Sequence, residues 1–190
     1  MNNVREQLIA TTAALLEAQG YHATGLNQIL KESGTPKGSL YYYFPAGKEE
    51  LAAAAVEHSG TLVAARIESA LANEADPAVA ISAFVRTIAH YIEVADFRAG
   101  GPLLAVALET VTSSDRLNHA CRAAYDRIAA AFAAKLVASG YSPARAAHVA
   151  QFITATIEGG TVLSRTYHNG DILRRCADEL AQFLQTTAKV

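Results

Sequence analysis

Apolar residues recur at three- and four-residue spacing along nearly the whole chain, and long alternating runs of β-branched residues are absent. That periodicity predicts an almost entirely helical protein of about nine helices. The first runs from Asn2 to Gln19, with Val4, Leu8, Leu15 and Leu16 as its stripe and Gly20 as its end. Tyr21–Gly25 is a tight link. Leu26–Ser33 forms a second, short helix with Leu26, Ile29 and Leu30 on one side. Gly34 can take the left-handed conformation that ends it. The third lies within Thr35–Phe44, with Thr35 as cap and Pro36 at the first helical position.

Lys48 opens a fourth helix to about Leu71, expected to bury Leu51, Ala55, Leu62, Ala65 and Leu71. After the polar break at 73–76, Asp76 caps and Pro77 opens a fifth helix reaching about Phe97. Phe84, Ile88, Tyr91 and Ile92 share one of its sides. A turn at 98–101 leads to a short apolar sixth helix, Pro102–Thr112. Ser114 caps the seventh, which carries Cys121, Tyr125, Ile128, Phe132 and Leu136 and ends near Ala138. Ser142 and Pro143 start the eighth, which runs to about His168. Its small residues, Ala147, Ala150, Thr154, Gly159, Gly160, Thr161 and Ser164, predict a close helix–helix contact. Asn169-Gly170 breaks the chain. Asp171 caps the ninth, with Ile172, Leu173, Cys176, Leu180, Phe183 and Leu184.

The third helix carries the chemistry. Leu40 and Phe44, four apart, point into a core. Lys37 and Tyr41 share another face, with Tyr42 beside them, and that face has no carboxylate. Gly38 costs roughly 1 kcal/mol there relative to Ala and leaves room for another backbone. Preceded by a short helix and a glycine turn, this is the helix-turn-helix pattern. A short helix with one packed side and one basic, hydroxyl-rich side suits a DNA groove. On residues alone, a core helix edged with tyrosines is the competing reading.

Composition changes the picture little. The 190 residues are 51% hydrophobic with a net charge of −2, so no global charge points to nucleic acid. The first fifty residues hold Arg5, Lys31, Lys37 and Lys48 against Glu6, Glu17, Glu32, Glu49 and Glu50, a balance of −1. This argues against tight non-specific DNA binding, although a local patch can form if the acids face elsewhere. Cys121 and Cys176 have neither metal-site nor disulfide-framework spacing. No apolar run reaches the ~18 residues of a membrane span. The expectation is a cytoplasmic protein with no membrane segment, cofactor or metal.

The residues Gly20-Tyr21-x-Ala23-Thr24, Ile29, Gly34, Lys37–Phe44 and Lys48-Glu49-Glu50-Leu51 together resemble the DNA-binding domain of the TetR family of bacterial repressors. The link through Pro45-Ala46-Gly47 is similar to that of the LmrA/YxaF-type subgroup, which responds to small aromatic or drug-like molecules. The resemblance implies a helix-turn-helix domain over 1–47. It is followed by a larger helical ligand-binding and dimerisation domain over 48–190, with helix 48–71 as connector. It implies phosphate contacts from Thr24, Thr35 and Lys48, and groove contacts from Lys37, Gly38, Tyr41 and Tyr42. Ser39 is either a base contact or solvated, and Tyr43 either packs or meets a phosphate. Gly25 departs from the Thr or Ser common in the family, which removes one hydroxyl. The helices at about 142–168 and 171–187 resemble the family's dimer interface, a four-helix bundle shared by two subunits. The partners expected are therefore a near-palindromic double-stranded operator, a small-molecule effector and a second copy of the chain.

A pocket enclosed by helices five to eight would be mostly hydrophobic. Its candidate lining is Phe84, Ile88, Tyr91, Leu104, Leu108, Tyr125, Phe152 and Thr156, each equally at home in a plain core. It suits a small, largely apolar or aromatic ligand. His90 could line it or be solvated. Glu109 and Glu158 sit in apolar surroundings, where a carboxylate is costly unless paired. Each is open to a surface role, a pairing with Arg98 or Arg165, or a ligand contact. No metalloprotease histidine pair, phosphate-binding glycine loop or nucleophile elbow is present. The reading is a ligand-responsive, homodimeric transcriptional repressor and not an enzyme. Its rival is an all-α small-molecule carrier or enzyme whose head no longer binds DNA.

Overall fold

A computed structural model describes residues 2–186. These form α1 (Asn2–Ala23), α2 (Leu26–Ser33), α3 (Lys37–Tyr43), α4 (Lys48–Leu71), α5 (Pro77–Val94), α6 (Leu103–Thr110), α7 (Asp115–Ala138), α8 (Pro143–Tyr167) and α9 (Asp171–Thr186). No strand occurs among the described residues. The all-α expectation therefore holds, with the helices in the predicted order. Residue 187, the expected end of the ninth helix, lies outside the described residues.

The chain packs as two units, one of residues up to Leu62 with Gly101–Tyr125, the other of Val63–Gly100 with the residues from Asp126 onward. In the first unit, α1 packs against α2, α3 and α6. Leu8, Leu15 and Leu16 of α1 are buried, as are Ile29, Leu40, Phe44 and Leu51. From α6 and α7, Leu103, Val106 and Leu117 are buried too. Gly60 of α4 touches α7 so closely that a Cβ would lie 2.5 Å from the Ala124 Cβ.

In the second unit, α5 and α8 each pack on α9. Ile81, Val85, Ala89 and Ile92 of α5 and Leu173, Ala177, Leu180 and Leu184 of α9 are buried. Arg174 reaches from α9 to Glu93 of α5 (Nη1–Oε1 2.8 Å) and to Asp171 (2.8 Å). Its hydrogen bonds hold the Glu93 carboxyl below the usual carboxylate range. Arg86 pairs with Asp178 across the same two helices.

Several local expectations change. α1 continues to Ala23 beyond a break at Gly20 (φ 77°, ψ −178°), a conformation that suits glycine. Thr35 does not cap α3. Pro36 occupies the N-cap, and the Thr35 hydroxyl pairs with Ser33 Oγ at 2.7 Å inside the turn. Leu62 and Ala65 of α4 are exposed, and Val56, Ala64 and Ile67 take the buried side with Leu51, Ala55 and Leu71.

α5 stops at Val94 instead of Phe97, because Asp96 and Phe97 turn to positive φ (52° and 58°). Phe97 N–H there closes a bond to Ile92 O (2.8 Å), and Arg165 Nε donates to Phe97 O (3.1 Å). At α9 the Asn169 side chain, not Asp171, accepts the free Asp171 N–H at 2.9 Å. The caps predicted at Asp76, Ser114 and Ser142 are present, accepting from Ala78, Leu117 and Arg145 respectively.

Candidate nucleic-acid interface

α3 presents its hydrophilic side outward. Leu40 is buried, whereas Tyr42 is 74% exposed and Tyr41 44% exposed. Lys37 and Gly38 are exposed, and Ser39 and Tyr43 half-buried. Lys37, the first helical residue, holds its ammonium 6.0 Å from the centre of the Tyr41 ring. Tyr42 meets Tyr43 edge-on at 4.9 Å, which steadies its ring. No ring or aliphatic chain from elsewhere covers Gly38, since a Cβ there would touch nothing within 4 Å.

The supports of this helix are local. Gly34 closes α2 in the left-handed conformation (φ 63°). The Ser33–Thr35 hydroxyl pair satisfies the buried polar groups of the turn. After α3, Gly47 N–H bonds Phe44 O at 2.8 Å with φ 74°, so the Pro45-Ala46 link turns into α4 through a glycine that the geometry requires. Glu50 reaches back to Ala46 N–H (2.8 Å).

The excess of acid in the head is largely committed to protein donors. Glu17 accepts from Gly101 N (2.9 Å), Glu49 from the Ser114 hydroxyl and Glu50 from Ala46 N. None of these carboxylates lies on α3, whose open face carries Lys37 with no acid on the same helix.

The sequence of this unit matches the model of the bacterial regulatory proteins of the tetR family over residues 8–55, and residues 77–179 match the LmrA/YxaF-like C-terminal domain of transcriptional regulators. The HTH-type regulator YxaF of Bacillus subtilis is 39% identical over 93% of this chain and 92% of its own length. The HTH-type transcriptional regulator LmrA of the same organism is 40% identical over 87% and 88%. The chain belongs to the TetR family. A crystal structure of a TetR transcriptional regulator from Chloroflexus aurantiacus shares the fold at a TM-score of 0.79 and 28% identity, covering 98% of this chain and 96% of that one. The reduced form of Escherichia coli NemR also has this fold (TM-score 0.78, 22% identity, 93% and 95% covered). This TetR-family chain is thus a transcriptional regulator with a helix-turn-helix DNA-binding domain, and its relatives' names are those of regulators, not enzymes.

Within that domain the expected contact residues separate. Lys37, Gly38, Tyr41 and Tyr42 share the open side of α3. The Thr24 side chain is buried and does not cap α2: Gly25 is the N-cap, and the Thr24 hydroxyl donates to Gly20 O at 2.7 Å. Its one proton is already committed, so in this conformation the hydroxyl cannot donate to a phosphate. Thr35 is buried in the turn. Lys48 is half-buried with Nζ 4.1 Å above the Tyr21 ring. Burial lowers its pKa, and the Glu109 charge works against that shift. Burial raises the pKa of Tyr21, with Glu49 adding to it.

Sequence reasoning passed over Tyr21 as link residue, yet it is the platform for Lys48. The carboxylate of Glu109 pairs with neither Arg98 nor Arg165. It accepts the His22 backbone N–H at 2.7 Å. Its position in an apolar helix was the available signal.

The effector candidates fall in both packing units. Leu104, Leu108 and Tyr125 belong to the first and Phe84, Ile88, Tyr91, Phe152 and Thr156 to the second. Phe84 and Ile88 are half-buried, with the Phe84 ring 6.0 Å from that of Phe132. Leu108 is 70% exposed. The Phe152 ring lies 5.0 Å from that of Phe183 of α9 at a tilted angle, and the Thr156 hydroxyl donates to Phe152 O at 2.8 Å. A groove of about 480 Å³ in the second unit is lined by Ala75, Asp76, Pro77, Ser139, Leu184 and Gln185, none of them a candidate. His90 is exposed. No helix among the described residues is long and apolar enough to cross a membrane.

Proposed function

We propose that the protein is a homodimeric, ligand-responsive repressor acting in the cytoplasm. Each copy would insert α3 into the major groove, the two lying roughly one DNA turn (~34 Å) apart on a near-palindromic operator. The reading is carried by the open face of α3, where an ammonium and two phenols stand exposed on a helix anchored by Leu40 and Phe44. Lys37 can donate to guanine acceptors or a phosphate, and Tyr41 and Tyr42 offer hydroxyls and ring edges. Ser39, half-buried beside them, lies within the same helix. Lys48 adds a phosphate contact if its ammonium swings off Tyr21. The buried Thr24 and Thr35 shape the element from inside.

Dimerisation through α8 and α9 is supported by an apolar strip on α8, where Phe152, Val162, Leu163 and Tyr167 are exposed. The effector is small and largely apolar or aromatic, in keeping with the half-buried Phe84 and Ile88 of α5. It weakens operator binding because it prefers the conformation with the other head spacing, and the two affinities oppose each other by the same factor.

The test is selection of duplexes from a random library, then a mobility-shift titration of the winner. Lys37→Ala and Tyr42→Ala should each weaken binding by about 1–3 kcal/mol. If both bind like wild type, α3 is not the reading helix.

A further inference from the structure

We propose that Glu109 is a positioning residue for the DNA-reading helices: from the last turn of α6 its carboxylate fills the backbone break at Gly20 and fixes the angle at which α2 and α3 leave α1. The inference rests on the DNA-binding reading above and concerns how that surface is held.

The break is a gap in the helix ladder. With Gly20 at φ 77° the helical conformation is broken, and a backbone amide beyond the break takes its acceptor from elsewhere. Glu109 supplies one, its Oε2 accepting His22 N at 2.7 Å. The His22 ring returns to the Glu109 carbonyl oxygen, Nε2 to O at 3.3 Å. The positive φ favours glycine, and a Cβ at residue 20 would lie 2.0 Å from Glu109 Oε1, so any other side chain there would push the carboxylate off the break. A hydrogen bond from an amide to a carboxylate is roughly twice as strong as one to a neutral acceptor.

The other end of α6 is tied as well, by Gly101 N–H to Glu17 Oε1 at 2.9 Å. α6 therefore brackets the last turns of α1 from both ends. Between Gly20 and Gly25 the chain adds Thr24 N to Tyr21 O (3.2 Å), the Thr24 hydroxyl to Gly20 O, and Gln19 Nε2 to Ala23 O (2.9 Å). Gln19 also reaches Gln28 of α2 (2.9 Å), and α1 packs on α2 and α3; a link with a glycine at each end keeps freedom to pivot within that packing, and the Glu109 bond removes part of it.

The packing of α6 does not depend on Glu109, because Leu103, Val106 and Thr110 are the residues it buries. Removing the carboxylate should consequently loosen the link while sparing the core. Glu109→Ala is expected to speed hydrogen exchange at the His22 amide at least tenfold. It should also weaken affinity for the duplex selected by the wild type about tenfold, with a melting temperature close to wild type. Glu109→Gln, which keeps an acceptor oxygen at the same place, should restore most of the affinity. Unchanged duplex affinity in Glu109→Ala overturns the proposal, as does a Glu109→Gln variant no better than Ala. A wild-type protein that selects no duplex sinks the DNA-binding reading and with it the purpose of the clamp, while exchange at His22 still decides whether the clamp exists.

Discussion

Gly160 of α8 lies so close to Leu173 of α9 that a Cβ on it would stand 2.8 Å from Leu173 Cδ2 and 3.3 Å from Cys176 Sγ. Its neighbour Gly159 faces open space, with nothing within 4 Å of a Cβ. The pair separates two effects of one substitution. Gly160→Ala gains helix propensity but must displace a fully buried leucine, so we expect a net loss of about 1–3 kcal/mol. Gly159→Ala has only the propensity gain, of about 0.5–1 kcal/mol. Urea unfolding of the two variants at low protein concentration, where association contributes least, checks the opposite signs.

Leu40 and Tyr42 are two residues apart on α3 and should fail in different ways. Leu40 is buried, and its truncation to Ala should cost about 2–5 kcal/mol and lower the melting temperature. Tyr42→Ala should leave the melting temperature nearly unchanged and reduce operator affinity. Circular dichroism melts and DNA titrations on the same two preparations would show the crossing pattern. A Tyr42→Ala variant that melts early would mean the ring supports the fold and does not serve as a free contact.

These two residues also show what the sequence could reveal. The four-residue spacing of Leu40 and Phe44, the glycine at 34 and the prolines at 77 and 143 carry local physics, and the helices appear where that physics puts them; Pro36 instead falls one place earlier, as the N-cap of α3. Asp76, Ser114 and Ser142 cap as expected because a cap acts over three residues. The caps expected from Thr35 and Thr24 did not form because each hydroxyl found a partner that periodicity does not display: Ser33 across the turn and Gly20 across the break.

Leu62 and Ala65 fit a helical stripe as well as Ala64 and Ile67 do, and only the packed neighbours choose between them. The early end of α5 depends on Arg165 and His168, about seventy residues away, which hold the Phe97 turn. Glu109 was legible as an oddity, a carboxylate in an apolar helix, but not as a partner of residue 22.

Cys121 offers a pH test. It is buried on the inner side of α7, and burial pushes its thiol up to about 11 from an ordinary 9.0. A folded-state pKa above the unfolded value stabilises the protein fully below pH 9, and that contribution is lost as pH rises through 11. The size is on the order of 2 kcal/mol. Denaturant unfolding at pH 8 and pH 11 should therefore show a larger alkaline loss for wild type than for Cys121→Ala, whatever the variant's starting stability. Equal losses would mean that the thiol is not desolvated. Thiol alkylation should likewise be slow at Cys121 below pH 9 and faster at the half-buried Cys176.

The strip on α8 makes the last prediction. Phe152, Val162, Leu163 and Tyr167 are all exposed, Tyr167 by 70%, and Ala155 and Gly159 lie at the helical spacings between them. An apolar strip this long on one surface helix is what a second copy of the chain would cover. Leu163→Glu places a charge in its middle. In the free chain Leu163 is already half-exposed, so the fold should lose little. In a dimer two such carboxylates would be brought toward the same interface and desolvated.

Sedimentation should show wild type as a dimer at micromolar concentration and Leu163→Glu as a monomer with unchanged far-ultraviolet circular dichroism. Because a half-site held by one head lacks the second set of contacts, the variant should also lose operator affinity steeply while keeping the salt dependence of a single head. A Leu163→Glu protein that still sediments as a dimer would move the interface away from α8.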